Sequence, residues 1–424
     1  MKTHLWQLAR TLLMVALLLH SGGLASAGDK VDLSLASALD RARKQNPQIA
    51  IARERVSQSE GMRVQASLIP NPSLYASSEN TPLGGSQPFT FGNDTDDYVY
   101  VIQKIELGGK RERRIAFASE NRNQTSIQSE LAMRQLLARV AYAYWTAAGS
   151  AAIDQLYHRE VGTLGGIVEY SQARAEKGAA RQADVIRIQL ESDRLEAQAR
   201  RATEQARRAL IALYREMGAT DFPVSVEFTD RLNDLPEIQI PDIRTIFEDR
   251  PEMRSVQEGL KQALANLDLQ RANAVPDPEL MGGYKRYSGS GKYTGQNTLF
   301  FGFQVPLPVF DRNQGTTAAA EAQVRGAKDA IRDEEITIRA EVAAASSDYT
   351  LRRGALLGLL PRMLGRAAET QEIARGAYRL GGADILRFLD ASRIDIEAKA
   401  LFVQTLIDYH ESVVNLQLAT GMLR

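Results

Sequence analysis

The 424 residues contain no cysteine. That excludes disulfides, thiolate metal sites, cysteine nucleophiles and lipidation through an N-terminal cysteine. Histidine is scarce, at four. The 52 basic side chains balance 52 acidic ones, so no basic field favours nucleic acid and no acidic tail is present. The sequence has no HExxH, no phosphate-cradling GxxxxGK[ST] and no GxSxG, and no other acid–base or nucleophile constellation; an enzyme is not expected. Aromatics make up only 7%, while Ala, Gln, Glu, Arg and Leu abound, a helix-forming composition.

The N-terminus carries a different signal. Lys2 and Arg10 precede or border an apolar run at 11–19 (TLLMVALLL), and Ala25-Ser26-Ala27 forms an A-x-A site. This pattern predicts a secretory signal peptide over 1–27. The run is too short to span a bilayer, which takes about 20 residues. His4 and His20 would leave with it, so only His158 and His410 would remain. Lys2 and Arg10 would leave too, giving 50 basic against 52 acidic groups, a net charge of −2. No later stretch is apolar enough for a transmembrane helix. If the exported chain sits in a membrane, it does so as β-strands.

Fixed-offset similarity runs through the rest. Pro47 recurs as Pro251, Pro70-Asn71-Pro72 as Pro276-Asp277-Pro278, and Asp184 after KGAARQA as Asp384 after LGGA, at offsets of 204, 206 and 200. The chain therefore reads as two similar halves, 28–233 and 234–424, joined near 218–241. Each half begins with a short amphipathic segment ending in X-Pro, followed by a helix over about 48–68 or 252–274. A PxP ends that helix, because a residue before proline disfavours the α region. Two β-like runs follow, at about 73–79 and 98–106, then at about 279–287 and 298–305. Tyr98, Tyr100 and Ile102 alternate against Val99, Val101 and Gln103, the period of a strand. Polar, glycine-rich loops at 80–96 and 288–296 separate the runs. Long helical stretches come next, 110–176 and 313–379, each about 100 Å at 1.5 Å per residue. Turns at Gly178 and at Gly381-Gly382 lead to second long helices, 181–217 and 384–421. Pro361 and Gly149 are expected to kink or interrupt the longer helices.

Helices this long cannot bury themselves in one globular core, and their sparse apolar positions suggest antiparallel coiled-coil hairpins. The strands pose the opposite problem. Four strands leave open edges, which are very costly in lipid, so only a barrel closed by several copies is viable. Tyr75, Tyr98, Tyr100, Tyr284, Tyr287, Phe300, Phe301 and Phe303 gather there, as an interfacial aromatic girdle would require. The fold class is thus mainly α with a small β part.

The doubled order of segments resembles the TolC-like outer membrane efflux proteins. It is carried by LSLASALDRARKQNPQIAIARERV (33–56), IPNPSLYAS (69–77), IELGGKRERR (105–114) and VPLPVFDRNQG (305–315). The last two look most like the heavy-metal branch, of cobalt–zinc–cadmium resistance type. The resemblance covers nearly all of the chain after residue 27. It implies a homotrimer in a Gram-negative outer membrane, with a twelve-stranded β-barrel continued by a periplasmic α-barrel. It also implies two partners, a periplasmic membrane-fusion adaptor and an inner-membrane RND-type pump. The duct would be passive and without cofactor, and its cargo divalent metal cations. A drug, a solvent or a secreted polypeptide is the alternative cargo. A soluble periplasmic coiled-coil adaptor or scaffold is the alternative from another class, and it leaves the paired aromatic strands unexplained.

The same resemblance assigns residues. Asp184 and Tyr378 match a linked aspartate–tyrosine pair that holds the family's periplasmic entrance shut. Asp390 matches one member of an aspartate ring at the constriction. Arg387 stands where a second ring aspartate is expected, and Ala383 where an arginine assists closure, so an Arg387–Asp390 contact within the helix is an alternative wiring. Gly178, Gly381 and Gly382 fall at the adaptor-docking tips. Gly108, Gly109, Pro306 and Pro308 fall at the turns from barrel to tunnel. Lys110, Arg111, Arg113 and Arg312 beside those turns read as solvated or inter-chain charges. With no Cys and two His, a tight metal site within the chain is not expected, and tight binding would slow conduction.

Overall fold

A computed structural model describes residues 31–80, 84, 88–90, 94–287, 295–380 and 384–423. Residues 1–27, expected from the sequence to be a signal peptide, most of the two loops, and Gly381, Gly382 and Ala383 lie outside the described residues. In chain order the elements are β1 (Val31–Leu33), α1 (Leu35–Gln45), α2 (Pro47–Ala66), β2 (Ser73–Glu79), β3 (Asp96–Lys104), α3 (Lys110–Glu176) and α4 (Gln182–Glu216). Then come β4 (Val226–Phe228), α5 (Ile243–Asp249), α6 (Pro251–Asn273), β5 (Glu279–Arg286), β6 (Asn297–Gln304), α7 (Gln314–Gly354), α8 (Leu360–Arg379) and α9 (Ile385–Ala419).

The two X-Pro steps do the same structural work. Pro47 and Pro251 each occupy the first turn of a helix, where a missing N–H is not needed. The residue before each proline binds the end of its own half's return helix. Asn46 Nδ2 donates to the Glu216 carbonyl at 2.8 Å, and the Arg250 guanidinium to the Ala419 carbonyl at 3.4 Å. Both satisfy carbonyls that a helix C-terminus leaves without intrahelical partners.

The return at Gly178 is a Schellman turn. Gly178 has φ +72°, its N–H donates to Ala175 O, and Ala179 N–H donates to Arg174 O at 2.8 Å. Glycine adopts this left-handed conformation without the Cβ penalty. Gly149 does not interrupt α3, which is continuous for 67 residues. A Cβ there would lie 2.1 Å from Ile407 Cγ1, so Gly149 permits close approach of α9. Pro361 does mark a break. A π-helical turn, Ala355–Leu359, separates α7 from α8, and the wider turn accommodates a proline that lacks an N–H and would clash with the preceding turn.

Burial runs along the helices in separate clusters. One surrounds Tyr144 and Trp145 of α3 with Leu213 and Met217 from α4 and its end, together with Ala38 and Ala42 of α1. Another joins Leu164 and Ile167 of α3, Ile188 of α4, Tyr378 of α8 and Phe388 of α9, so both helical hairpins share it. A short parallel pair, β1 with β4, ties the start of the first half to its end; the sequence reading did not anticipate it. Three-residue strands are too short to show a period.

The remaining strands form one antiparallel sheet in the order β2-β3-β5-β6. The register puts Leu74, Val101, Gly282 and Phe301 in one row, and Ala76, Val99, Tyr284 and Leu299 in another. These rows make an apolar, exposed face, on which Phe301 is 79% and Leu299 75% accessible. Tyr75, Tyr98, Tyr100, Phe300 and Lys285 project from the opposite face. Tyr75 and Tyr100 lie 4.6 Å apart, and Tyr100 and Phe300 5.6 Å. The expected single girdle is therefore incorrect for Tyr75, Tyr98, Tyr100 and Phe300. Alternation along a strand divides aromatics between two faces, and Tyr75, Tyr100 and Phe300 cluster among themselves. Among the described residues no helix is long and apolar enough to cross a membrane.

Candidate gate and barrel-to-tunnel junction

Tyr378 is the best-held of the proposed gate residues. Its ring stacks on Phe388 at 5.8 Å and meets Tyr170 edge-on at 6.4 Å. Its hydroxyl is 2.7 Å from Ser171 Oγ, in a buried contact. Tyr170 in turn donates its O–H to Arg379 O at 3.2 Å. The end of α8 is thereby bound to the end of α3, hairpin to hairpin. Asp184 lies in the first turn of α4, half-exposed, where the helix dipole favours a carboxylate. Within the chain no hydrogen bond joins it to Tyr378; Ser171 holds that hydroxyl instead.

Asp390 is exposed and pairs with Arg393 Nη2 at 2.6 Å. The expected Arg387–Asp390 contact is absent. An acid placed N-terminal to its base is the better order on a helix, and Arg393 supplies that order while Arg387 does not. Arg387 is exposed, one residue from the buried Phe388. Gly178 sits at the turn between α3 and α4; its counterparts Gly381 and Gly382 lie outside the described residues.

The passage from sheet to long helix is built in detail. Gly108 and Gly109 both take left-handed conformations, φ +69° and +68°, and a Cβ on Gly108 would meet Val275 Cγ2 at 2.9 Å. Asp277, buried in its PxP, gathers Lys110 Nζ at 2.7 Å, Lys104 Nζ at 3.3 Å and the Leu107 N–H at 3.0 Å. Burial opposes ionisation of this carboxyl, but the Lys110 ammonium, the Leu107 N–H and Lys104 outweigh it and hold the pKa below the usual carboxylate range. Arg111 Nε donates to Ser67 O at 2.7 Å, and Arg114 to Ala66 O and Leu68 O at 2.8 and 3.0 Å, covering the C-terminus of α2. Arg113 pairs with Asp268 at 2.8 Å.

The solvated reading is thus incorrect for Lys110, which is buried against Asp277. Arg113 and Arg312 are exposed, as solvated charges are, while Arg111 and Arg113 each also bind a partner within the chain. The only visible hint was the change from Pro70-Asn71-Pro72 to Pro276-Asp277-Pro278, which puts a carboxylate where the first half has an amide. Pro306 and Pro308 lie between β6 and α7. There Asn313, at φ +59°, donates from Nδ2 to Gln270 O at 2.7 Å, so it binds the end of α6 as Arg111 binds the end of α2.

Sequence reasoning missed a second ionic group. Arg134 and Arg250 are buried beside the C-terminus of α9. Arg134 pairs with Glu252 at 2.6 Å and contacts Leu418 O, and Arg250 pairs with Glu252 at 3.1 Å and Glu341. Neither histidine is placed as a ligand. His158 is exposed beside Thr203. His410 is buried, stacked on Trp145 at 3.6 Å, and burial holds its pKa below the usual imidazole value. Among the described residues no three His, Asp or Glu side chains converge as a metal site.

A family model described as "Outer membrane efflux protein" matches the chain twice, over 38–219 and 243–422. The chain belongs to the outer membrane efflux protein family. Its members are ducts rather than enzymes, placed in the Gram-negative outer membrane and reaching into the periplasm. The cobalt-zinc-cadmium resistance protein CzcC of Cupriavidus metallidurans is 24% identical over 390 residues, covering 92% of this chain and 90% of that one. The toluene efflux pump outer membrane protein TtgC of Pseudomonas putida is 27% identical over 322 residues, covering 73% and 66%. A crystal structure of a membrane protein from Pseudomonas aeruginosa superposes with a TM-score of 0.76 at 22% identity, over 91% of this chain and 93% of that one.

Proposed function

We propose that three copies of this chain form the exit duct of a tripartite efflux system for divalent heavy-metal cations. The duct receives cargo from an inner-membrane RND-type pump through a periplasmic adaptor. The observation that carries the assembly is the sheet. It has two unpaired edges, β2 and β6, and one continuous apolar face, and three such sheets give twelve strands with no free edge. Support for the cargo comes from the match to CzcC along nine-tenths of both chains.

In this reading the two halves, 28–233 and 234–424, each supply one helical hairpin to the tunnel. Asp184, Tyr378, Arg387 and Asp390 surround its periplasmic entrance, and Gly178, Gly381 and Gly382 mark the tips on which the adaptor docks. Gly108, Gly109, Pro306 and Pro308 turn the chain from barrel to tunnel. No resident cofactor or metal takes part, because a passive duct works by weak, easily left interactions.

The test is metal tolerance of a strain deleted for this chain, across zinc, cadmium, cobalt, nickel, copper and silver, beside a panel of solvents and antibiotics. Loss of tolerance to one or two metals, restored by the gene, is expected. Sensitivity to organic compounds alone would keep the duct and reject the metal cargo.

A further inference from the structure

The segment that leaves β6 is apolar and uncovered. Leu307 is 79% and Phe310 91% accessible, with Val305 and Val309 also exposed. Two prolines, Pro306 and Pro308, restrict it, and residues before proline are held extended, so its shape is set before it meets anything. A groove of matching character lies at the opposite edge of the same chain. Met62, Leu68 and Ile69 are exposed along it, next to Pro70 and the stem of Arg114. Its walls are fixed: Arg114 donates to Ala66 O and Leu68 O, and Gln103 Nε2 to Pro70 O at 3.0 Å.

We propose that the 305–310 segment of one copy seats Leu307 and Phe310 in the Met62–Leu68–Ile69 groove of the next copy. The geometry follows from the sheet edges. Strand β6 is one free edge and β2 the other, and the register places Ser73, Ile102, Met281 and Gly302 in one row. If β6 pairs antiparallel with the next copy's β2, the stretch after Gln304 runs past the stretch before Ser73. Those are the proline segment and the groove. The contact rests on the trimeric reading and adds to it a fixed, side-chain-specific seat below the barrel. A preformed segment in a preformed groove loses little entropy on docking.

The natural absence of cysteine makes the test direct. The full chain carrying Ile69→Cys and Phe310→Cys, expressed in outer membranes and treated with a short bis-maleimide, is expected to give a covalent trimer on denaturing gels. Each single variant should give none. In parallel, the thiol of the Phe310→Cys variant should react with a maleimide at least tenfold more slowly in the assembled protein than in the denatured chain. Detergent-purified trimers that neither cross-link nor protect the introduced thiol at position 310 would overturn the seat while leaving the trimer intact. A monomer by light scattering would overturn the assembly itself. Rapid labelling by a membrane-soluble maleimide would assign the segment to lipid instead.

Discussion

Replacing Asp277 by asparagine should loosen the junction between sheet and tunnel. The side chains of Asp277 and Lys110 are 7% and 9% accessible, 2.7 Å apart. Removing one member of a buried pair leaves the other charge uncompensated, which costs about 3–5 kcal/mol. Lys104, half-exposed, can turn to solvent and adds little. At about 2.1 cal/mol/K per residue, cooperative unfolding of a chain this size has an entropy of roughly 0.8 kcal/mol/K, so the loss corresponds to about 4–6 °C in Tm. The measurement is far-UV circular dichroism of purified protein in detergent. A companion Lys110→Met variant removes the other charge, and the double variant should be less destabilised than the two singles summed, by about 1 kcal/mol or more. Acid gives an independent check. A carboxyl held low in the folded state contributes stability that is fully present above its unfolded pKa of about 3.9 and is lost as pH falls through its lower folded value. The wild type should therefore lose the contribution of Asp277 only below the ordinary carboxylate range, and Asp277→Asn should have nothing to lose there. An Asp277→Asn protein melting within 1 °C of wild type, or strict additivity with Lys110→Met, would refute the argument.

Three further outcomes follow from the same geometry. Tyr378→Phe deletes the hydroxyl that meets Ser171, at about 1 kcal/mol for one hydrogen bond, and should raise single-channel conductance in planar bilayers, as should Asp184→Ala; unchanged conductance in both would remove these residues from the gate. Gly108→Ala should lower Tm more than Gly178→Ala, because both force an L side chain into a left-handed conformation at about 1–2 kcal/mol, but only position 108 adds a clash, with Val275; equal losses would contradict this. Asp390→Asn should lower the cation-to-anion permeability ratio if three symmetry copies concentrate negative charge in the tunnel, and reversal-potential measurements decide it.

The elements that could be read in the sequence are those with a period or a punctuation mark. Strand β2 at 73–79 and helix α3 at 110–176 were expected at the bounds the structure gives. In both, proline or glycine stands close by and marks the ends of the element. The pairs that cross from one half to the other were not legible. Asp277 meets Lys110 across 167 residues, and Arg134 meets Glu252 across 118. No local period encodes such a distance, and a charged residue beside a turn looks solvated whether or not a partner arrives. The aromatic strands failed differently. Their number was visible, but the face each occupies depends on register, and a one-residue slip exchanges the faces. Here the register puts Tyr75, Tyr100 and Phe300 on one side, in contact, and Phe301 and Phe303 on the other. The same limit applies to the gate. A tyrosine near the end of the second long helical stretch is visible in the sequence; that its hydroxyl meets Ser171, from the other hairpin, is a property of how the hairpins pack. In the proposed gate, parting the two hairpins must therefore break the Ser171–Tyr378 and Tyr170–Arg379 bonds and the edge-on contact of Tyr378 with Tyr170. Phe388, which shares the second hairpin with Tyr378, can move with it. In that proposal α8 and α9 share the resistance to parting, since Ser171 holds Tyr378 and Phe388 packs with Leu164, Ile167 and Ile188 of the first hairpin, while Asp390 and Arg393, paired within one helix turn, can travel together without opposing the motion.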